Sequence, residues 1–203
     1  MLPYVYIKNN QVFSNGHLLF EQNNDESLTS LLSGLYLFSE LSYPKYHKMD
    51  NLCKLGFLAS EFLIKSTALT NKFSLDKIGI VLSNAASSLD TDRQHQLSII
   101  DKSTYFPSPA VFVYTLANIV IGEIAIKHKI TGENAFFISE KFDADTLVNY
   151  AHLLFTGNTE AVLSGWVEVD DNNYETFLFI IEKNNLLNAS EVNAVLHNLQ
   201  HTK

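Results

Sequence analysis

Ser108-Pro109-Ala110-Val111-Phe112-Val113-Tyr114-Thr115-Leu116-Ala117-Asn118-Ile119-Val120-Ile121-Gly122-Glu123-Ile124-Ala125-Ile126 is the most apolar passage of the chain, and the fold turns on how it is read. Ser108 can cap a helix, and Pro109 suits the first helical position, where a missing N–H costs nothing. The passage predicts one helix from Pro109 to Ile126, apolar nearly all round and therefore in the middle of the fold. A membrane span is the competing reading. It would place Thr115, Asn118 and Glu123 in hydrocarbon, with Lys127, His128 and Lys129 closing the run, at a cost of several kcal/mol. A buried helix in a water-soluble core explains the passage better.

Downstream, Ala135-Phe136-Phe137-Ile138 reads as a strand. Asp143 can then cap a helix carrying Leu147, Val148, Ala151, Leu154 and Phe155, closed by Gly157-Asn158. Two β-type runs follow, Ala161 to Val169 and Thr176 to Ile181, separated by the turn-forming Asp170-Asp171-Asn172-Asn173. Asn188 with Glu191 three residues on is a capping-box pattern. It announces a terminal helix that buries Val192, Val195, Leu196 and Leu199. Upstream, Ile78-Gly79-Ile80-Val81-Leu82 suits a strand covered on both faces, ending in a polar loop from Ser83 to Asp92. Asp50 caps a helix burying Leu52, Leu55, Ala59, Phe62 and Leu63. Leu28, Leu31, Leu32 and Leu35 recur on one helix face, and Tyr4 to Ile7 opens the chain as a strand, with Asn15-Gly16 turning toward Leu18-Leu19-Phe20. Such alternation favours a layered α/β fold around a mostly buried sheet.

The composition agrees. With 46% hydrophobic and 18% charged residues, the 203-residue chain is neither disordered nor coiled-coil in character. A chain of this length can bury enough surface to be stable without disulfides or a structural metal. Its single cysteine, Cys53, has no internal partner. The 14 basic residues are scattered against 22 acidic ones, a net charge of -8, which excludes a general nucleic-acid binder. Met1-Leu2-Pro3-Tyr4 opens with no positive region or cleavage site, so a cytoplasmic location is expected, with no membrane partner.

The segment from Phe106 to Glu168 resembles the N-terminal half of the β-ketoacyl synthases, of the thiolase-like family. The family's Pro-x-x-Phe-x-x-Thr-x-x-Asn pattern is read at Pro109, Phe112, Thr115 and Asn118, continued by Gly122 and Ala125. Its Gly-x-Asn turn is read at Gly132-Glu133-Asn134, leading into the strand before the nucleophile. A Gly-Gly-x-Glu-like segment is matched by Ser164-Gly165-Trp166-Val167-Glu168. The likeness extends more weakly to Lys48–Leu63, to Ile78–Val81 and to Phe177–Glu182. It implies an α/β, thiolase-like layered half-domain with a central mixed sheet. It also implies a single domain over 1–203, with 184–203 as a terminal amphipathic helix. Physically, Gly122 and Ala125 would let a buried helix approach its neighbours, and Asn118 would serve buried backbone groups.

What the resemblance implies for function turns on what is missing. In the family a cysteine sits at the turn after the strand matching Ala135 to Ile138, and two histidines in a C-terminal half complete the site. Here the turn reads Ser139-Glu140-Lys141-Phe142-Asp143, and the chain is about half the family's usual length. Counting from Gly132 places the nucleophile position at Lys141, and counting from Gly157 places it at Glu140. Neither can form an acyl thioester. No catalytic residue, cofactor or metal is therefore assigned. The resemblance implies a non-catalytic subunit of a fatty-acid or polyketide pathway, of polyene-pigment type by the family's range. It would pair with itself or with an active ketosynthase in the manner of a chain-length factor, through Ala135 to Ile138. An acyl carrier protein is a further partner.

Two other readings stay open: an acyl-thioester enzyme using Ser139, Glu140 or His152, and a module that binds an acyl ligand without chemistry. Several side chains have an ordinary reading beside a functional one. Cys53 lies among helix positions that belong to the core. Asp90, Asp92 and His95 have the spacing of metal ligands from a loop, and equally that of a solvated acidic loop. Trp166 and the Tyr105-Phe106 pair could line an acyl pocket or fill the core. Lys45, His47, Lys48 and Lys54 form the one modest basic cluster, suited to an acidic carrier protein or simply to a solvated helix side.

Overall fold

The computed structural model describes residues 2–22, 27–100 and 108–201. Its centre is a seven-stranded mixed sheet: β1 (Tyr4–Lys8), β2 (Gln11–Ser14), β3 (His17–Glu21), β4 (Ile78–Asn84), β5 (Asn134–Ile138), β6 (Ala161–Asp170) and β7 (Asn173–Glu182). Their spatial order is β3-β2-β1-β7-β6-β4-β5. The half from β3 to β6 is antiparallel, and β6-β4-β5 is parallel. Tight turns make the antiparallel half: Asn9 and Asn10, then Asn15 and Gly16, all take positive φ, the backbone that two-residue hairpins require. The parallel half needs long crossovers, and its strands are accordingly joined through helices.

Helices cover both faces. On one lie α1 (Leu28–Phe38), α2 (Asn51–Thr67), the single turn α3 (Leu69–Lys72) and α6 (Ile119–His128), on the other α7 (Ala144–Leu154) and α8 (Ala189–His201). Strand alternation divides the core accordingly. In β7, Leu178 and Ile180 join the α1/α2/α6 side, and Phe177, Phe179 and Ile181 join the α7/α8 side. β4 is buried along its whole length, as its unbroken apolar run predicts.

The caps read from the sequence are in place. Asp50 Oδ1 accepts the Cys53 amide at 2.9 Å, Asp143 Oδ1 accepts the Thr146 amide at 3.1 Å, and Ser108 Oγ accepts that of Val111. Asn188 and Glu191 exchange two bonds as a capping box, and α8 buries Val192 and Leu196, with Val195 and Leu199 half-buried. The terminal helix starts at Ala189 because that box fixes its first turn; the stretch before it is a turn off β7.

Three expectations are corrected. The passage 109–126 is two helices, α5 (Pro109–Val113) and α6, because the chain breaks over Tyr114–Asn118. There the Thr115 hydroxyl donates to Phe112 O at 2.7 Å and the Ser88 hydroxyl to Thr115 O at 2.8 Å, so side chains take carbonyls that a continuous helix would use. The passage is also not central throughout: Phe112 is 59% exposed. Second, Gly122 makes no close approach, since a Cβ there would meet nothing within 4 Å; the close approach belongs to Gly56 of α2, where a Cβ would lie 2.5 Å from Val120 Cγ2. Asn118 is exposed and its side chain caps nothing.

Third, the loop expected from Ser83 to Asp92 is shorter. β4 runs to Asn84, whose side chain bonds both the amide and the carbonyl of Ser87, and a helix, α4 (Leu89–Ile99), begins directly after. Ser87 takes φ of 54°, reversing the chain within this turn.

Candidate functional site at the β5–α7 turn

β4 and β5 run side by side in parallel, with Asn84 opposite Ile138, so their C-terminal ends open at one place. Crevices at the carboxyl ends of parallel strands are where α/β sheets bind ligands. The turn Ser139–Asp143 starts here: the Ser139 amide donates to Asn84 O at 2.9 Å. Phe142 then anchors the turn, its ring edge-on to Trp166 at 6.4 Å and to Phe177 at 5.7 Å. Glu140 and Lys141, between these fixed points, are exposed.

Asp143 ends the turn as the α7 cap. Its second oxygen accepts the Thr146 hydroxyl at 2.7 Å, and these bonds from Thr146, side chain first, hold its carboxyl below the ordinary aspartate range. Asp143 and Asp145 together answer the positive end of α7.

Beside the turn lies a cleft of about 430 Å³ bounded by Ala85, Ala86, Leu89, Trp166, Glu168 and Glu175. Glu168 reaches across it and accepts the amides of Ala85 at 2.6 Å and Ala86 at 3.1 Å. Burial nevertheless pushes its carboxyl above the ordinary range, the two amides only partly offsetting the desolvation. Glu175 differs: burial is outweighed there by Gln200, Tyr6 and Lys8, and its carboxyl lies below the ordinary range. The backbone that carries Trp166 and Glu168 depends on Gly165, which takes φ of 147° and where a Cβ would fall 2.0 Å from Phe177 O.

The remaining sequence candidates are placed elsewhere. His152 stands in the last turn of α7, about 13 Å along the helix from its cap, against Phe155, so it forms no pair with Ser139. Cys53 is 1% exposed, and burial, with Asp50 and Glu123 adding to it, pushes its thiol well up. Asp90, Asp92 and His95 sit on α4 rather than a loop. Asp90 accepts from Gln94, Asp92 from Ser88, and the His95 ring lies tilted against Phe112, so each is engaged separately. Among the described residues no three His, Cys, Asp or Glu side chains converge as metal ligands. Trp166 is 6% exposed, both core and cleft wall, and Tyr105 and Phe106 lie outside the described residues.

The basic cluster is divided. Lys45 is spent on Glu123, a carboxylate 3% exposed that also accepts the Tyr114 hydroxyl at 3.1 Å, with Lys45 Nζ at 2.8 Å. His47, Lys48 and Lys54 remain beside it. Sequence reasoning assigned no role to Glu168, Phe142 or Glu123. Glu168 carried a signal as the acid of the Gly-Gly-x-Glu-like segment, and Glu123 as an acid within an apolar helical run.

No protein-family model matches the chain, and no curated protein does. Solved structures do. A type II polyketide acyl-carrier protein in complex with its ketosynthase bound to the hexaketide aligns with a TM-score of 0.62 at 14% identity, over 90% of this chain and 61% of that one. The ishigamide ketosynthase/chain length factor aligns at 0.64 and 15%, again over 90% and 61%. A ketosynthase in complex with its chain length factor from Xenorhabdus doucetiae aligns at 0.58 and 13%, over 90% of this chain and 78% of that one. The chain thus spans 61% of the length of two of these structures. Seven mixed strands between helical layers and these three alignments together give the chain the α/β, thiolase-like fold of ketosynthase and chain-length-factor proteins.

Proposed function

We propose that the chain is a non-catalytic ketosynthase-like subunit of a polyketide or fatty-acid pathway, which pairs with an active ketosynthase as chain-length factors do. The observation that carries the reading is the turn after β5, Ser139–Asp143, which contains no cysteine; the family resemblance would put the nucleophile position at Glu140 or Lys141. Cys53 cannot substitute, being buried in α2 with its thiol proton held.

The open edge of β5 supports pairing. Among the described residues β5 has a strand on one side only, and its sequence is apolar, with Ile138 56% exposed. An uncovered apolar edge is an aggregation hazard unless a partner strand takes it. The partner that best fits is a ketosynthase, whose own strand before the nucleophile would extend the sheet; a second copy of this chain is the other route to the same contact. An acyl carrier protein would then dock on the assembly.

Co-expression with a ketosynthase from the same genome tests this. A stable heteromer is expected, and Ile138→Lys should abolish it while leaving the isolated chain folded. Absence of any complex with the ketosynthase or with itself would remove the proposal.

A further inference from the structure

We propose that the groove between α1 and the start of α2 binds a small carboxylate with an aromatic or short acyl body. The groove measures about 280 Å³ and is walled by Leu32, Tyr36 and Leu37 of α1, by Tyr46 and His47 of the 3₁₀ turn Pro44–Lys48, and by Lys54 of α2. It shares no residue with the β5–α7 turn or the Glu168 cleft, and the inference does not rest on the partner reading.

The walls are prebuilt. Tyr36 and Tyr46 stack with centroids 4.2 Å apart and planes 12° from parallel, and His47 meets both edge-on, at 5.1 and 5.7 Å. Both phenols are tied back to the protein: Tyr46 Oη donates to Leu32 O at 3.0 Å, and Tyr36 Oη accepts the Tyr43 amide at 2.9 Å. The polar ends of the rings are thereby consumed; with Tyr46 almost fully buried against Tyr36, the groove offers a ligand mainly the carbon surface of Tyr36, Leu37 and His47, with Thr29, Ser33 and Asn51 as its polar lining. Such a surface receives an aromatic ring or a short acyl chain at little ordering cost, because nothing has to rearrange.

The charge at its mouth selects the sign. Lys8, Lys45, Lys72, Lys77 and Arg93 are each paired with a carboxylate. Lys54 forms no such pair among the described residues, although it is half-buried, with Nζ 6.0 Å from the Tyr46 ring centroid. Burial accordingly holds its amine below the ordinary lysine range, only partly offset by Asp50. Asp50 does not neutralise it by contact, since its two oxygens accept the Cys53 amide and the Thr91 hydroxyl. A desolvated ammonium lacking a contact counter-ion gains from a ligand anion and repels a ligand cation. Its position beside ring faces requires that the anion be joined to an apolar body. A carboxylate meets both conditions, and a volume of about 280 Å³ matches a compact body.

The probes are benzoate and hexanoate, with benzamide and benzylammonium as neutral and cationic counterparts of the first. Binding is followed by thermal shift and by amide NMR of the intact chain. Both carboxylates should raise the melting temperature in a saturable way and move the resonances of Tyr36, His47 and Lys54. Benzamide should bind about tenfold or more weakly, as the loss of a charge-assisted bond implies. Lys54→Met should weaken benzoate by a similar factor, and Lys54→Arg should retain it. A dispersed spectrum of Lys54→Met establishes that it is folded, and Tyr36→Leu, which leaves the cation in place, gives a second reading through loss of the stacked wall. The proposal is overturned if benzamide matches benzoate, if both variants bind unchanged, or if neither carboxylate binds at millimolar concentration. Binding of an acidic peptide at these residues without binding of the small acids would also overturn it.

Discussion

Asp143 does two things at once: it ends the turn after β5, and it starts α7. Its bonds to Thr146 lower its folded pKa relative to the unfolded chain. The capping stability is therefore fully present above the ordinary aspartate range and is lost as pH falls through the lower folded value. Asp143→Ala should cost about 1 kcal/mol at neutral pH, and the difference from the parent chain should vanish in acid denaturation series. Glu168 makes a different prediction. Removing its carboxylate leaves the Ala85 and Ala86 amides to water, so Glu168→Ala should cost about 1 kcal/mol by denaturant unfolding, and Glu168→Gln, which keeps an acceptor, less. Cys53 should resist alkylation by iodoacetamide in the folded chain and react promptly after unfolding, since only the thiolate attacks. The caps at Asp50, Ser108, Asp143 and Asn188 were all legible from residue type and spacing. The role of Glu168 was not: its partners are backbone amides of two alanines distant in sequence, and no side chain advertises them.

At the scale of elements, the hydrophobic period located most of the fold. The strands β4, β6 and β7 and the helices α1, α2, α7 and α8 lie where their apolar spacing places them. It failed where apolarity and burial part company. Ser108 to Ile126 reads as one buried helix because nearly every residue is apolar, yet Thr115 and Ser88 draw carbonyls out of the helical pattern and leave α5 on the surface. β2 also escaped, since the turns at Asn9–Asn10 and Asn15–Gly16 make two short hairpins from a stretch too brief to show alternation. The α2–α6 contact is set by Gly56 rather than by the Gly122 that the sequence pattern suggests. Gly56→Val should destabilise by about 1–3 kcal/mol through overpacking against Val120, and Gly122→Ala should be neutral or stabilising, by up to about 1 kcal/mol of helix propensity.

For the molecule as a whole, the order β3-β2-β1-β7-β6-β4-β5 buries β7, β6 and β4 and leaves β5 as an apolar edge beside the turn of interest. The fold class was legible because motif order and strand patterning pointed the same way. Of the candidate site, the turn Ser139–Asp143 between a strand and a capped helix was legible, but the cleft beside it is assembled from the turn after β4, from β6 and from β7, whose convergence no local pattern encodes. The proposed role follows from a scaffold kept without its thiol. It is tested most directly by reconstituting the chain with a ketosynthase of the same genome and an acyl-loaded carrier protein, and following elongation and protein acylation by intact mass spectrometry. The account predicts a heteromer, elongation that requires this chain, and acyl adducts only on the ketosynthase. An acyl adduct on this chain, or elongation indifferent to its presence, would contradict it.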